Sequence, residues 1–153
     1  MRRIALISAT VCLASAPNVI AQVRVTVPSP QFQAQEQIRA RVENLDRQPI
    51  TYCVEFGQTW TNGTDVESTP SPFAVQQRTN GKWSTLLIGP DVGSFDRPVV
   101  LEPGKSEDFP IKLNSGGGTR LQLLYWLGSK VDLICSRPPK GVKKVTSKQF
   151  TIR

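Results

Sequence analysis

From residue 22 onward the apolar positions fall at every second residue. Val23, Val25 and Val27 alternate with Arg24 and Thr26, and Ile38, Ala40 and Val42 alternate with Arg39, Arg41 and Glu43. The same period returns at Ile50, Tyr52, Val54 and Phe56 against Thr51, Cys53 and Glu55, and at Phe109, Ile111 and Leu113 against Asp108 and Lys112. It returns once more at Leu121, Leu123, Tyr125 and Leu127. A period of two places alternate side chains on opposite faces, so each run reads as a strand with one face in a core and the other toward water. No stretch of this part of the chain carries a convincing helical period.

Turn-forming clusters separate the runs: NLDRQP at 44–49, Asn80-Gly81, LEPGKS at 101–106 and NSGGG at 114–118. Asn80-Gly81 is the sharpest of these, because both residues tolerate the positive φ of a type I′ hairpin turn. Strands are expected near 23–28, 36–44, 50–56, 73–79, 82–88, 106–113, 119–127 and 148–152. Pro110 cannot donate to a ladder, which sends its strand to a sheet edge or gives it a bulge. Residues 57–72 show no sustained alternation and read as a long polar loop. Seven to nine short strands with Gly/Pro turns predict an all-β fold, two antiparallel sheets packed as an immunoglobulin-like β-sandwich.

The segment PVVLEPGKSEDFPIKL, followed by a glycine-rich turn and TRLQLLYWLG, resembles the late strands of bacterial immunoglobulin-like domains. The likeness extends to the single-domain sandwich of the intracellular proteinase inhibitor of bacilli and spans residues 23–152. It implies the sandwich fold, and it raises proteinase inhibition through an exposed loop such as 57–72 as an alternative activity.

The first 21 residues differ from the rest. Arg2 and Arg3 precede an apolar stretch from Ile4 to Ala16, then Pro17, Asn18 and the short side chains Val19 and Ala21. This is the architecture of a secretory signal peptide, with cleavage expected after Ala21. The apolar run is shorter than the roughly 20 residues of a membrane span. Residues 22–153 then form one exported domain, periplasmic or secreted, with no transmembrane segment after cleavage.

Export bears on the cysteines. Cys12 leaves with the signal, so Cys53 and Cys135 are the remaining pair. In an oxidising compartment such a pair is most simply a disulfide, and the alternative is two buried thiols. Cys53 shares parity with Thr51 and Glu55, opposite to Tyr52 and Val54, and so points away from the core. Cys135 lies in KVDLICSRPPKG, whose prolines keep it from being a central strand. A bridge between them would pin a loop to the outer face of a sheet.

The chain carries no histidine, which removes imidazole catalysis and leaves too few soft ligands for a zinc site. Neither Asp91 with Asp96 nor Glu107 with Asp108 suits the two facing carboxyls of glycosidase chemistry, since adjacent strand residues diverge. The expectation is therefore a non-enzymatic protein without cofactor or metal. Its basic charge is concentrated late: residues 129–153 hold Lys130, Arg137, Lys140, Lys143, Lys144, Lys148 and Arg153 against Asp132 alone. Lysines on an edge strand discourage strand addition and need no partner. As a patch, Lys140, Lys143, Lys144 and Lys148 suit a lipid headgroup, acidic polysaccharide or acidic protein. Nucleic acid is disfavoured, because no aromatic residues interleave with the lysines. Trp83 reads as core, whereas Trp60 and Trp126 are candidate contact aromatics. Asn62-Gly63-Thr64 matches a glycosylation acceptor. The functional expectation is an exported module that binds an unknown protein or an anionic envelope component.

Overall fold

The computed structural model describes residues 22–54, 71–85, 97–113, 117–135 and 139–153, together with the backbone of 59–61 and 66–68. The expected signal peptide, Asp91, Asp96, Asn62 and the side chain of Trp60 lie outside the described residues. The described chain is an all-β sandwich without a helix. Its strands are β1 (Val23–Thr26), β2 (Gln31–Phe32), β3 (Gln37–Asn44), β4 (Ile50–Val54), β5 (Thr59–Thr61), β6 (Val66–Ser68), β7 (Phe73–Thr79), β8 (Lys82–Thr85), β9 (Arg97–Leu101), β10 (Ser106–Lys112), β11 (Gly117–Leu127), β12 (Lys143–Thr146) and β13 (Phe150–Ile152).

β1, β3 and β10 form the smaller sheet, with β3 in the centre. Pro110 is thereby on an edge strand, as its missing donor requires. The larger sheet is organised by the eleven-residue β11. One side of β11 pairs with β13 through Gly117–Thr119 and with β12 through Gln122–Tyr125. The other side pairs with β7 through Thr119–Leu123 and with β4 through Tyr125–Leu127. β9 extends β4, β8 extends β7, and β2 adds in parallel to β13. At the β7–β8 turn Asn80 and Gly81 both have positive φ, 52° and 78°, which matches the hairpin expected from their sequence.

Register and parity together build the core. Tyr125 stands opposite Tyr52, Leu127 opposite Ile50, and Leu121 and Leu123 opposite Val75 and Phe73. From the smaller sheet Ile38, Ala40, Val42, Phe109 and Ile111 meet them, all buried. The Phe109 ring packs edge-on against Tyr52 and Phe73 at 6.1 and 5.8 Å between centroids. Full burial of each such side chain contributes roughly 1.5–3 kcal/mol, so these rows dominate the stability.

All eight expected strands are present, but among the described residues the two packed sheets hold eleven, above the seven to nine expected. Three of these were not expected: β2 is only two residues long, β9 has consecutive apolar residues instead of alternation, and β12 is mostly lysine and threonine. The segment expected as a long polar loop at 57–72 contains β5 and β6, joined by an antiparallel ladder.

Candidate binding surface

The outer face of the larger sheet is built by the residues whose parity turns them from the core. On β11 these are Gly118, Arg120, Gln122, Leu124 and Trp126. Cross-strand register sets Gln76 opposite Arg120, Ala74 opposite Gln122, Lys144 opposite Leu124 and Thr51 opposite Trp126. Arg78 lies one pair further along β7, opposite Trp83 of β8. Pro98 and Val100 continue the face on β9 beside Cys53 and Thr51.

One end of this face is roofed by the chain itself. β11 is followed by Gly128, whose φ of +86° turns the backbone and whose N–H donates to the Pro49 carbonyl at 2.7 Å. The Thr51 hydroxyl then donates to the Gly128 carbonyl at 2.7 Å and accepts from the Lys130 N–H at 2.9 Å. A turn closes from the Leu133 N–H to the Lys130 carbonyl, and Cys135 is bonded to Cys53 on the same strand as Thr51. The Trp126 indole N–H donates to the Pro139 carbonyl at 3.2 Å, after which β12 begins. Residues 128–135 and 139–142 thus form a strap crossing the outer face of β4 and the end of β11. The disulfide expected from the sequence is present, and it holds a loop to the outside of a sheet.

This roof corrects the expectation for Trp126. Its parity is outward, yet it is only 3% exposed, because the strap lies over it and satisfies its indole. It is not a contact aromatic at the described surface. Thr51 is fully buried for the same reason. Trp83 departs in the other direction: it is half-buried on the outer face, with the Arg120 guanidinium carbon 4.1 Å from its ring centroid. Arg120 also donates through Nε to Gln76 Oε1 at 2.7 Å. Sequence reading missed this cation–π group because only the β7–β8–β11 register brings it together.

The four singled-out lysines do not share one direction. Lys140 follows directly on Pro139, above Trp126, and Lys144 extends from the outer face beside Leu124. Lys143 has the opposite parity on β12, and Lys148 is exposed in the connection to β13, beyond Ser147. The Ser147 backbone N–H and hydroxyl serve the carbonyl and N–H of Leu121, bridging the ladder between β12 and β13. Lys130, outside that group, is exposed on the strap. Among the described residues none of these lysines is ion-paired.

The two outer faces differ in whether acids are mixed with bases: the smaller sheet turns out Arg24, Arg39, Arg41 and Lys112 together with Glu43 and Asp108. On the smaller sheet Arg24 pairs with Glu43 at 3.7 Å, and Arg41 holds Asp108 by two hydrogen bonds of 2.7 and 2.9 Å. The Arg41 bond holds the Asp108 carboxyl below its usual range. The outward strand positions of the larger sheet carry Arg78, Arg120 and Lys144 and, among the described residues, no carboxylate. The two acids considered as a pair diverge: Asp108 meets Arg41 outside, whereas Glu107 turns inward and accepts from the Tyr52 hydroxyl at 2.5 Å.

The strap region also concentrates exposed apolar side chains. Among the described residues five large hydrophobics are exposed, and four of them, Leu124, Val131, Ile134 and Val142, belong to the strap or the strand below it. Val131 and Ile134 are the most exposed, at 68% and 61%.

No protein-family model matches the chain. No curated protein matches it either. Among solved structures it is similar to the sporulation control protein Spo0M from Bacillus subtilis, at 12% identity and a TM-score of 0.33. That alignment covers 87% of this chain and 50% of the other, so the chain spans half the length of that structure.

Proposed function

We propose that this chain is an exported, non-catalytic binding module of the cell envelope or exterior, an immunoglobulin-like sandwich that engages an anionic partner with the outer face of its larger sheet and the strap upon it. The observation that supports this reading is the contrast between the two outer faces. Edge protection accounts for Lys143 and Lys144 on β12, but not for Arg78 and Arg120, which stand on strands flanked on both sides. A face bearing one sign of charge attracts an oppositely charged partner and selects against a like-charged one. The Cys53–Cys135 bridge agrees with an oxidising compartment.

The test removes equal charge from the two faces. Lys130, Lys140 and Lys144 are replaced by Gln in one variant, and Arg39, Lys105 and Lys112 in another. Each is measured for binding to an acidic polysaccharide and to anionic lipid vesicles at two salt concentrations. The reading predicts salt-sensitive binding that only the first variant loses. Equal loss in both variants means nonspecific attraction and overturns it, as does absence of binding by the unaltered protein.

A second reading, proteinase inhibition through residues 57–72, draws support from the β5–β6 ladder, which gives that segment a paired backbone. Inhibition of any member of a panel of secreted proteases by the purified protein favours it, and uniformly active proteases count against it.

A further inference from the structure

We infer that the anionic partner is a phospholipid bilayer, engaged by the strap with Val131 and Ile134 at the headgroup–acyl boundary and Lys130, Lys140 and Lys144 on the phosphates. This rests on the anionic-partner reading and names its chemistry. Lysines alone would suit any polyanion. The strap adds aliphatic side chains with no described partner: Val131 sits at the corner of the turn closed by Lys130 and Leu133, and Ile134 immediately precedes the bridged Cys135. Leu133, between them, turns inward and is buried, so the chain has an apolar side available for packing and still leaves two aliphatics outside.

Exposed aliphatics gathered at one place and rimmed by basic residues mark an interaction site. Aliphatic insertion combined with attraction to anionic headgroups is the chemistry of peripheral membrane attachment. An acidic polysaccharide offers no apolar phase for Val131 and Ile134. A bilayer offers both the charge and the phase. Three anchors fix the strap before it meets the surface: Thr51 at Gly128 and Lys130, Cys53 at Cys135, and Trp126 at Pro139. These anchors restrict the strap before binding, which lowers the entropic cost of docking. Asp132 is the sole acidic residue of residues 129–153 and is the local opposing charge.

Co-sedimentation with vesicles of phosphatidylcholine alone, and of phosphatidylcholine with phosphatidylglycerol, tests the inference. The unaltered protein is expected to bind the mixed vesicles and not the neutral ones. Val131→Ser/Ile134→Ser, which leaves every charge in place, is expected to weaken vesicle binding about tenfold or more while leaving polysaccharide binding unchanged. As a second readout, a Val131→Trp variant is expected to shift its emission to the blue and to be quenched by brominated acyl chains. Undiminished vesicle binding by the serine variant, or no quenching in the tryptophan variant, overturns insertion. Polysaccharide binding lost with the lysine variant would then leave the anionic-partner reading standing, whereas an unaltered protein that binds neither surface refutes both. Equal binding to neutral and mixed vesicles also overturns the inference.

Discussion

The indole N–H of Trp126 donates to the carbonyl of Pro139 at 3.2 Å, tying the last outward residue of β11 to the chain that returns over it. This contact, the Thr51 hydroxyl and the Cys53–Cys135 bridge turn a surface loop into a fixed second layer on the sheet. Their separate contributions can be measured.

Thr51→Val keeps the shape of a fully buried side chain but removes the hydroxyl that serves both Gly128 and Lys130. Two backbone groups lose their partner, at a cost of about 1–3 kcal/mol. Chemical denaturation should register that loss, and amide exchange at Lys130 should accelerate while exchange along β3 at the opposite sheet follows only the global change.

The bridge joins residues 82 apart in sequence. Loop-closure entropy predicts that Cys53→Ser/Cys135→Ser loses up to about 4–5 kcal/mol of stability. Thiol titration of unreduced exported protein, denatured without reductant, should find no reactive thiol among these two positions. Two reactive thiols would remove the bridge and the strap argument together.

How far the sequence could be read is clearest at this strap. Parity alone turned Cys53 outward and so made its bridge a loop staple, and the KVDLICSRPPKG prolines kept Cys135 off a central strand. The same parity misplaced Trp126, because alternation reports only which side of its own sheet a residue faces and not which chain later crosses that side. The Arg120–Trp83 contact had no local signal, since the two residues are brought together by two successive registers. β12 escaped notice because Val145 is its one core-facing apolar residue, and β9 because Pro98, Val99 and Val100 are neighbours without alternation.

Asn44 illustrates a different cost. It is fully buried, donates to the Gln48 and Leu101 carbonyls at 3.0 and 2.8 Å, and accepts from the Asp46 N–H. Asn44→Ala should lower the unfolding free energy by about 2–4 kcal/mol, because buried carbonyls are left unpaired. Arg41→Gln, which breaks an exposed ion pair, should leave the thermal midpoint nearly unchanged. Similar effects from the two variants would contradict this ordering.

Burial raises the pKa of both tyrosines, and at Tyr52 the Glu107 carboxylate adds to the effect. The folded state therefore retains protons that the unfolded chain releases near pH 10. This stabilisation is fully present below that pH and is lost above it, at about 1.4 kcal/mol per pH unit for each tyrosine still protonated in the fold. Denaturation midpoints should fall as pH rises through 10 to 11, and Tyr52→Phe should reduce that slope. Native tyrosinate absorbance rising normally at pH 10 would contradict it.

The most direct test of the whole account compares oxidised wild-type protein with the Cys53→Ser/Cys135→Ser variant for binding to one anionic vesicle preparation at low salt, under conditions where both are folded. The two carry identical charge, and differ in whether the strap is covalently bonded to β4 in addition to its hydrogen bonds at Thr51. The account predicts that the variant binds several-fold more weakly, because it must order the strap on docking. Equal binding by the two proteins would contradict it.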